Sequence, residues 1–274
     1  MPKIIISSDS YKTGREIGEK TAKATGYDYV DRQILGPVCE KYDVQEEELV
    51  RALEETPSFL GLSSKLRNKY FAYIQEATLE QLLDDNVVCH GLAAHLYVMG
   101  VSHALKVRVL SDPGTLVQKL SSEMGASPDK VKKLQKKNEA HRKKWSLEAF
   151  NLDETDPSNY DIIISLSQID PDEAVKTISD MAEYRKFQPM TYSIKCLKDK
   201  ELASRVRVVL MERFPDVRVQ ADGRTVVVEA KAVKREKRKR TESIKELAGA
   251  VEGVGYVEVH MANDIFRQAS ESAR

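Results

Sequence analysis

Long apolar runs are missing from this chain. No stretch approaches the ~20 residues that a spanning helix needs, and no basic-then-apolar segment opens the sequence, so a cytoplasmic protein is expected. Cysteine is scarce. Cys39, Cys89 and Cys196 are odd in number, scattered and without CxxC spacing, which points to free thiols in a reducing compartment. Net charge is absent as well: 43 Lys+Arg balance 43 Asp+Glu, so no global field recruits nucleic acid or anionic lipid, and such a partner must be met by a local patch. His90, His95 and His103 fall close together, yet without an H-E-x-x-H pattern or a fourth ligand, and no metal site is expected from them. The phosphate-loop pattern G-x-x-x-x-G-K-[ST] is also missing.

What is present has the layout of that loop without its residues. "KIIISSDSYKTGREIGEKTA" opens with Ile4, Ile5 and Ile6, a short β-branched run that reads as a buried parallel strand, and continues into a helix from Arg15. Strand, turn and helix in that order favour an anion at the helix N-terminus. Only Gly14 stands in the turn, with Lys12 before it. Lys12 reads either as an ammonium that reaches a β- or γ-phosphate or as a solvated loop lysine, and Asp9 and Ser10 as anion-loop remnants or an N-cap pair.

With 274 residues the chain has room for two domains. Over the first 185, strand and helix patterns alternate. "YDYVD", "NVVCH" (86–90), "ALKVRVL" (104–110) and "YDIIIS" (160–165) read as strands after the first. "QILGPVCEKY" reads as a helix interrupted by Gly36-Pro37. Asp43 and Ser64 read as N-caps of the next two helices, and Ser127-Pro128 and Asp170-Pro171 as caps followed by a first-turn proline. Strands separated by helices imply a parallel sheet covered on both faces, with its site at the carboxyl ends of the strands.

The motifs then show a resemblance. Arg15-Glu16-Ile17, Gly26-Tyr27 and Val30-Asp31-Arg32-Gln33-Ile34, followed near the end by "DPSNYDIIISLSQIDPDEAV", resemble the cytidylate-kinase-like family of P-loop nucleoside monophosphate kinases. The resemblance implies an α/β three-layer parallel sheet over residues 1–185. It also implies a nucleotide or other phosphorylated small molecule as ligand, and ATP with Mg²⁺ as cofactors of an active site. Carried over residue by residue, the nucleotide-binding positions are Ser10, Lys12, Thr13, Gly14, Arg15, Glu16, Asp31 and His90, and the catalytic ones Lys12 and Arg142. The chain departs from the pattern in three places. Tyr11 and Thr13 stand where the family's loop has glycines, Cys89-His90-Gly91 where it shows a Gly-Arg pair, and Ala140 and His141 beside Arg142 where its lid is arginine-rich. Asp31 reads as a ribose or metal-water partner or as a helix cap. The expectation is a bacterial-type protein with a degenerate nucleotide site, joined to a small BON-like domain through which it senses a ligand or serves as a scaffold. The alternatives are an active cytidylate-type kinase and an interaction protein with a vestigial site.

The last third reads as a separate small α+β domain, 190–265, beyond a boundary in "YRKFQPMTYS" (184–193). Its order is α-β-β-α-β, with Asp222-Gly223 as a hairpin turn and room for a further strand at 191–196. The hairpin glycine and the spacing of Val251, Gly253, Val254 and Val257 resemble a BON domain. "KREKRKR", 234–240, holds six cations in seven residues: Lys234, Arg235, Lys237, Arg238, Lys239 and Arg240. It reads as a polyanion site, for a lipid headgroup or RNA, or as a solvated face.

Overall fold

The structure is a computed structural model that describes residues 2–54 and 62–263, without the side chains of Glu148, Lys234 and Asn263. Residues 264–265, the end of the expected small domain, lie outside the described residues. The chain divides into two compact units, Met1–Ile194 and Lys195–Arg274.

In the first unit the elements run β1 (Lys3–Ser8), α1 (Tyr11–Thr25), β2 (Asp28–Val30), α2 (Leu35–Tyr42), α3 (Glu46–Glu54), α4 (Ser64–Gln81) and β3 (Val87–His90). They continue with α5 (Ala94–Tyr97), β4 (Ala104–Leu110), α6 (Pro113–Met124), α7 (Pro128–Phe150), β5 (Ile162–Ser165) and α8 (Pro171–Ala182). The five strands form one parallel sheet in the order β2-β3-β1-β4-β5. β1 is central, and Ile4, Ile5 and Ile6 are fully buried, each contributing ~1.5–3 kcal/mol relative to exposure. On one face Ile4, Ile6, Val88, Leu105, Val107 and Ile164 meet Ile17 of α1 and Ala174 and Ile178 of α8. The α/β parallel sheet expected from the alternation of patterns is therefore observed.

Three local expectations in this unit are corrected. Gly36-Pro37 does not interrupt a helix: both lie in the first turn of α2, where a missing N–H costs no hydrogen bond. Asp43 ends α2 in the left-handed region (φ 52°) instead of opening α3, a conformation its short polar side chain tolerates. The cap of α4 is Ser63, whose hydroxyl accepts from Leu66 N–H, and Ser64 is already helical. Ser127 and Asp170 cap α7 and α8 as expected, the latter in a capping box with Glu173.

The chain crosses into the second unit within α9 (Thr191–Met211), so 191–196 is helix and not strand. There follow β6 (Arg218–Asp222), β7 (Thr225–Ala232), α10 (Lys237–Gly249) and β8 (Tyr256–Asn263). β6 and β7 pair antiparallel and β7 and β8 parallel, giving the expected α-β-β-α-β order. Asp222 pairs with Thr225, so the hairpin turn is Gly223-Arg224. Gly223 takes the positive φ (59°) that a side chain would resist.

Candidate active site

The β1–α1 turn is only two residues long, Asp9 and Ser10, and closes on itself. Ser10 caps α1: its Oγ accepts from Thr13 N–H (3.4 Å) and from the Thr13 hydroxyl (3.1 Å). Its carbonyl accepts from Gly14 N–H (2.9 Å) and the Ser8 hydroxyl (2.8 Å). The Asp9 carboxylate accepts from Ser111 N–H (3.0 Å) and the Ser111 hydroxyl (2.9 Å). Gly14 answers to packing: a Cβ there would come 2.2 Å from Ser8 Oγ and 2.3 Å from His90 Nε2. α1 therefore lies directly on the end of β3.

His90 is sealed beneath that helix at 1% exposure, and burial pushes its pKa down to about 4 although the charge of Asp31 works against this. The neighbours define its tautomer. Ser8 gives its proton to Ser10 O, so Ser8 Oγ accepts from His90 Nε2–H (3.2 Å), and His90 Nδ1 is left to accept from the Tyr29 hydroxyl (3.4 Å). In this arrangement the imidazole is not a base toward Ser8.

Tyr11 covers the imidazole. Its ring lies 5.0 Å from that of His90, with the Arg32 guanidinium 3.9 Å above its centroid, and its hydroxyl donates to Asp31 Oδ2 (3.1 Å). Burial, then Asp31, raise the Tyr11 pKa. Asp31 is 2% exposed and takes Gln33 N–H at 3.0 Å, the cap role, with Arg15 Nε 3.8 Å away. Arg15 also pairs with Glu19, Glu16 with Lys20, and Arg32 with Glu54.

The two residues expected to be catalytic lie apart in their partnerships. Lys12 has a side chain 73% exposed and, among the described residues, approaches only Glu123 of α6, at 3.8 Å. Arg142 of α7 is bound to Glu154, whose side chain is 3% exposed, at 2.5 Å. The Glu154 carbonyl in turn accepts from the Tyr160 hydroxyl (2.7 Å) and Arg108. His95 stacks on Tyr160, and His103 is bonded to Ser193, so each of these histidines has a separate setting.

A cleft of about 470 Å³ opens at the carboxyl ends of β4 and β5, reaching Thr13 of α1. Besides two carboxylates its polar groups are Thr13, Ser111, Thr115, Lys119, Ser167 and Gln168, and its apolar lining includes Leu116, Leu166 and Ile169. Two carboxylates at its rim are already committed. Asp112 caps α6 through Thr115 N–H (2.8 Å), which holds its pKa below the usual carboxylate range, and Asp170 caps α8. Of these lining residues only Thr13 is expected from sequence as a site residue, Asp170-Pro171 being read there as a helix start. The signal for the others was the rule that parallel sheets bind ligands beyond their carboxyl ends, here the segments "SDPGT" and "LSQIDP".

A five-stranded parallel sheet in the order 2-3-1-4-5, flanked by helices and with a strand–turn–helix on its central strand, is a P-loop kinase-like fold. The family model of the cytidylate kinase-like family matches residues 3–168, more than half of the chain, and the chain belongs to that family. Among solved structures it is similar to an uncharacterized protein from Eubacterium ventriosum, at 18% identity and a TM-score of 0.48, over 68% of this chain and 100% of that one. No curated protein matches it. The unit beyond Ile194 lies outside the family match.

Proposed function

We propose that the kinase-like unit binds a small polar ligand in the cleft beyond β4 and β5, for sensing or scaffolding, and does not transfer phosphoryl groups. The observation that carries this is the closed β1–α1 turn. Phosphoryl transfer needs free backbone donors around the phosphates and cations on the transferring group. Here the donors of Thr13 and Gly14 are taken by Ser10, and the Asp9 carboxylate stands against Ser111 where the turn meets the cleft. A triphosphate would meet that negative charge, while Lys12 stands against Glu123 and Arg142 is held by Glu154. The cleft has the size of a small-molecule site, and its hydroxyls, one amide and one ammonium suit a neutral or singly charged ligand of nucleoside size. In this reading ATP and Mg²⁺ are not required. For the second unit we propose a BON-like binding module, supported by its α-β-β-α-β order.

Thermal-shift titration, run beside coupled turnover on a panel of nucleoside monophosphates, tests the first reading. ATP–Mg²⁺ at millimolar concentration should add no more than ~1 kcal/mol of stability. A nucleoside should add more, by an amount that Thr115→Ala and Lys119→Ala reduce, and no monophosphate should turn over. Turnover that Lys12→Ala abolishes would establish the active kinase in its place.

A further inference from the structure

The second unit carries a charge that the whole-chain balance hides. Of the 43 basic and 43 acidic residues, 18 basic and 13 acidic ones lie beyond Ile194, a net charge of +5 there against −5 before it. The surplus concentrates in residues 234–240, a 3-10 turn at Lys234–Glu236 leading into α10. Lys237, Arg238, Lys239 and Arg240 are four consecutive cations in the first turn of α10, the end where the macrodipole disfavours positive charge. Folding makes use of two of them. Lys237 Nζ donates to Met261 O (3.2 Å), and the Arg240 guanidinium lies 4.9 Å over the Phe214 ring. Arg238, with its side chain 93% exposed, reaches only Glu242 one turn on among the described residues, and Lys239 is exposed. An exposed pair of that kind contributes little to stability, so local folding gives no reason for these two cations.

The partner's chemistry follows from how the cations are arranged. Successive helical residues point about 100° apart, so the exposed charges fan around the helix start and do not share a plane. The run "KREKRKR" also holds no apolar side chain to enter a bilayer. A flat anionic membrane would meet part of such a fan. A chain of phosphates can thread between its members. We propose that the second unit binds the phosphate backbone of nucleic acid, without sequence preference, through Arg238 and Lys239 within the run 234–240.

The test uses the full chain and a labelled single-stranded oligonucleotide about 20 nucleotides long, followed by fluorescence anisotropy. For roughly three phosphate contacts, affinity should fall about twentyfold between about 50 and 200 mM salt. Arg238→Glu with Lys239→Glu should weaken binding at least tenfold at low salt without lowering the melting temperature, because both side chains are exposed. The charge-matched pair Lys136→Glu with Lys137→Glu, on exposed positions of α7, should leave binding intact. No binding at low salt would overturn the proposal, and so would an equal loss with the α7 pair. Tighter co-sedimentation with phosphatidylglycerol vesicles than binding to the oligonucleotide would overturn the nucleic-acid assignment in favour of a membrane.

Discussion

His90 sits between two requirements, packing under α1 and satisfying two ring nitrogens, and both are met only by the neutral imidazole. An unfolded chain binds a proton on a histidine below about pH 6.5, whereas the folded one resists until about 4. Between those values the unfolded state carries more protons, so stability rises with pH and is lost on acidification. The shift amounts to roughly 3 kcal/mol for His90 once pH has fallen to 4. His95, with a pKa pushed down to about 3, and His103, to about 4, act in the same direction through burial. Urea unfolding measured from pH 7 to 4.5 should show this fall, and His90→Gln should flatten the slope by up to ~1.4 kcal/mol per pH unit. An unchanged slope would mean that His90 is not buried as described. From sequence His90 could be noticed only as a polar stand-in for an arginine. Its sealing depends on Tyr11, Gly14 and Tyr29, three residues whose convergence no local pattern announces.

Between elements, α1 lies close against the ends of β1 and β3 at Gly14. Alanine there gains about 1 kcal/mol in helix propensity, yet its Cβ would fall 2.2–2.3 Å from Ser8 Oγ and His90 Nε2. Both neighbours are fixed by hydrogen bonds, and overpacking of this kind costs ~1–3 kcal/mol. Gly14→Ala should therefore lower stability by up to ~2 kcal/mol net, while Gly249→Ala in α10, which meets nothing within 4 Å, should be neutral or stabilising. Chemical denaturation of the two variants decides it, and a stabilised Gly14→Ala would show that α1 can lift from β3. The elements themselves were largely legible. Ile4 to Ile6 and the alternation of strand and helix patterns led to the parallel sheet, and Ser127-Pro128 and Asp170-Pro171 announced two helix starts. Asp43 and Gly36-Pro37 misled because each suits two positions: Asp closes a helix in the left-handed region as well as opening one, and Pro fits the first turn of a helix as well as its end. The cleft was not legible at residue level. Ser111 and Gln168 belong to loops far apart in sequence, brought together by the β4–β5 pairing.

At the scale of the whole molecule, the expected domain boundary in 184–193 precedes the observed division, which falls after Ile194 inside α9. One side chain makes the difference testable. Ser193, on the first turn of α9, is fully buried in the first unit, where its hydroxyl accepts from the buried His103 N–H (3.1 Å) and bonds the His103 ring. A fragment ending at residue 190 leaves that N–H without its partner, and an orphaned buried donor costs about 1–3 kcal/mol. The full-length Ser193→Ala variant should lose the same order of stability, which separates the hydrogen bond from any effect of shortening the chain. The second unit keeps its helix whole only when it starts at Thr191, and it then holds α9, α10 and the three-stranded sheet. A fragment 191–274 should fold alone with a cooperative melt by circular dichroism, since it carries both helices and the strands that its buried Val206, Val226, Val228 and Ile244 belong to. A fragment 198–274, without the first two turns of α9, should melt lower because the buried Leu197 no longer packs. Equal melting of the two fragments would place the working boundary later in the helix, and a non-cooperative 191–274 would show that the second unit needs the first in order to fold.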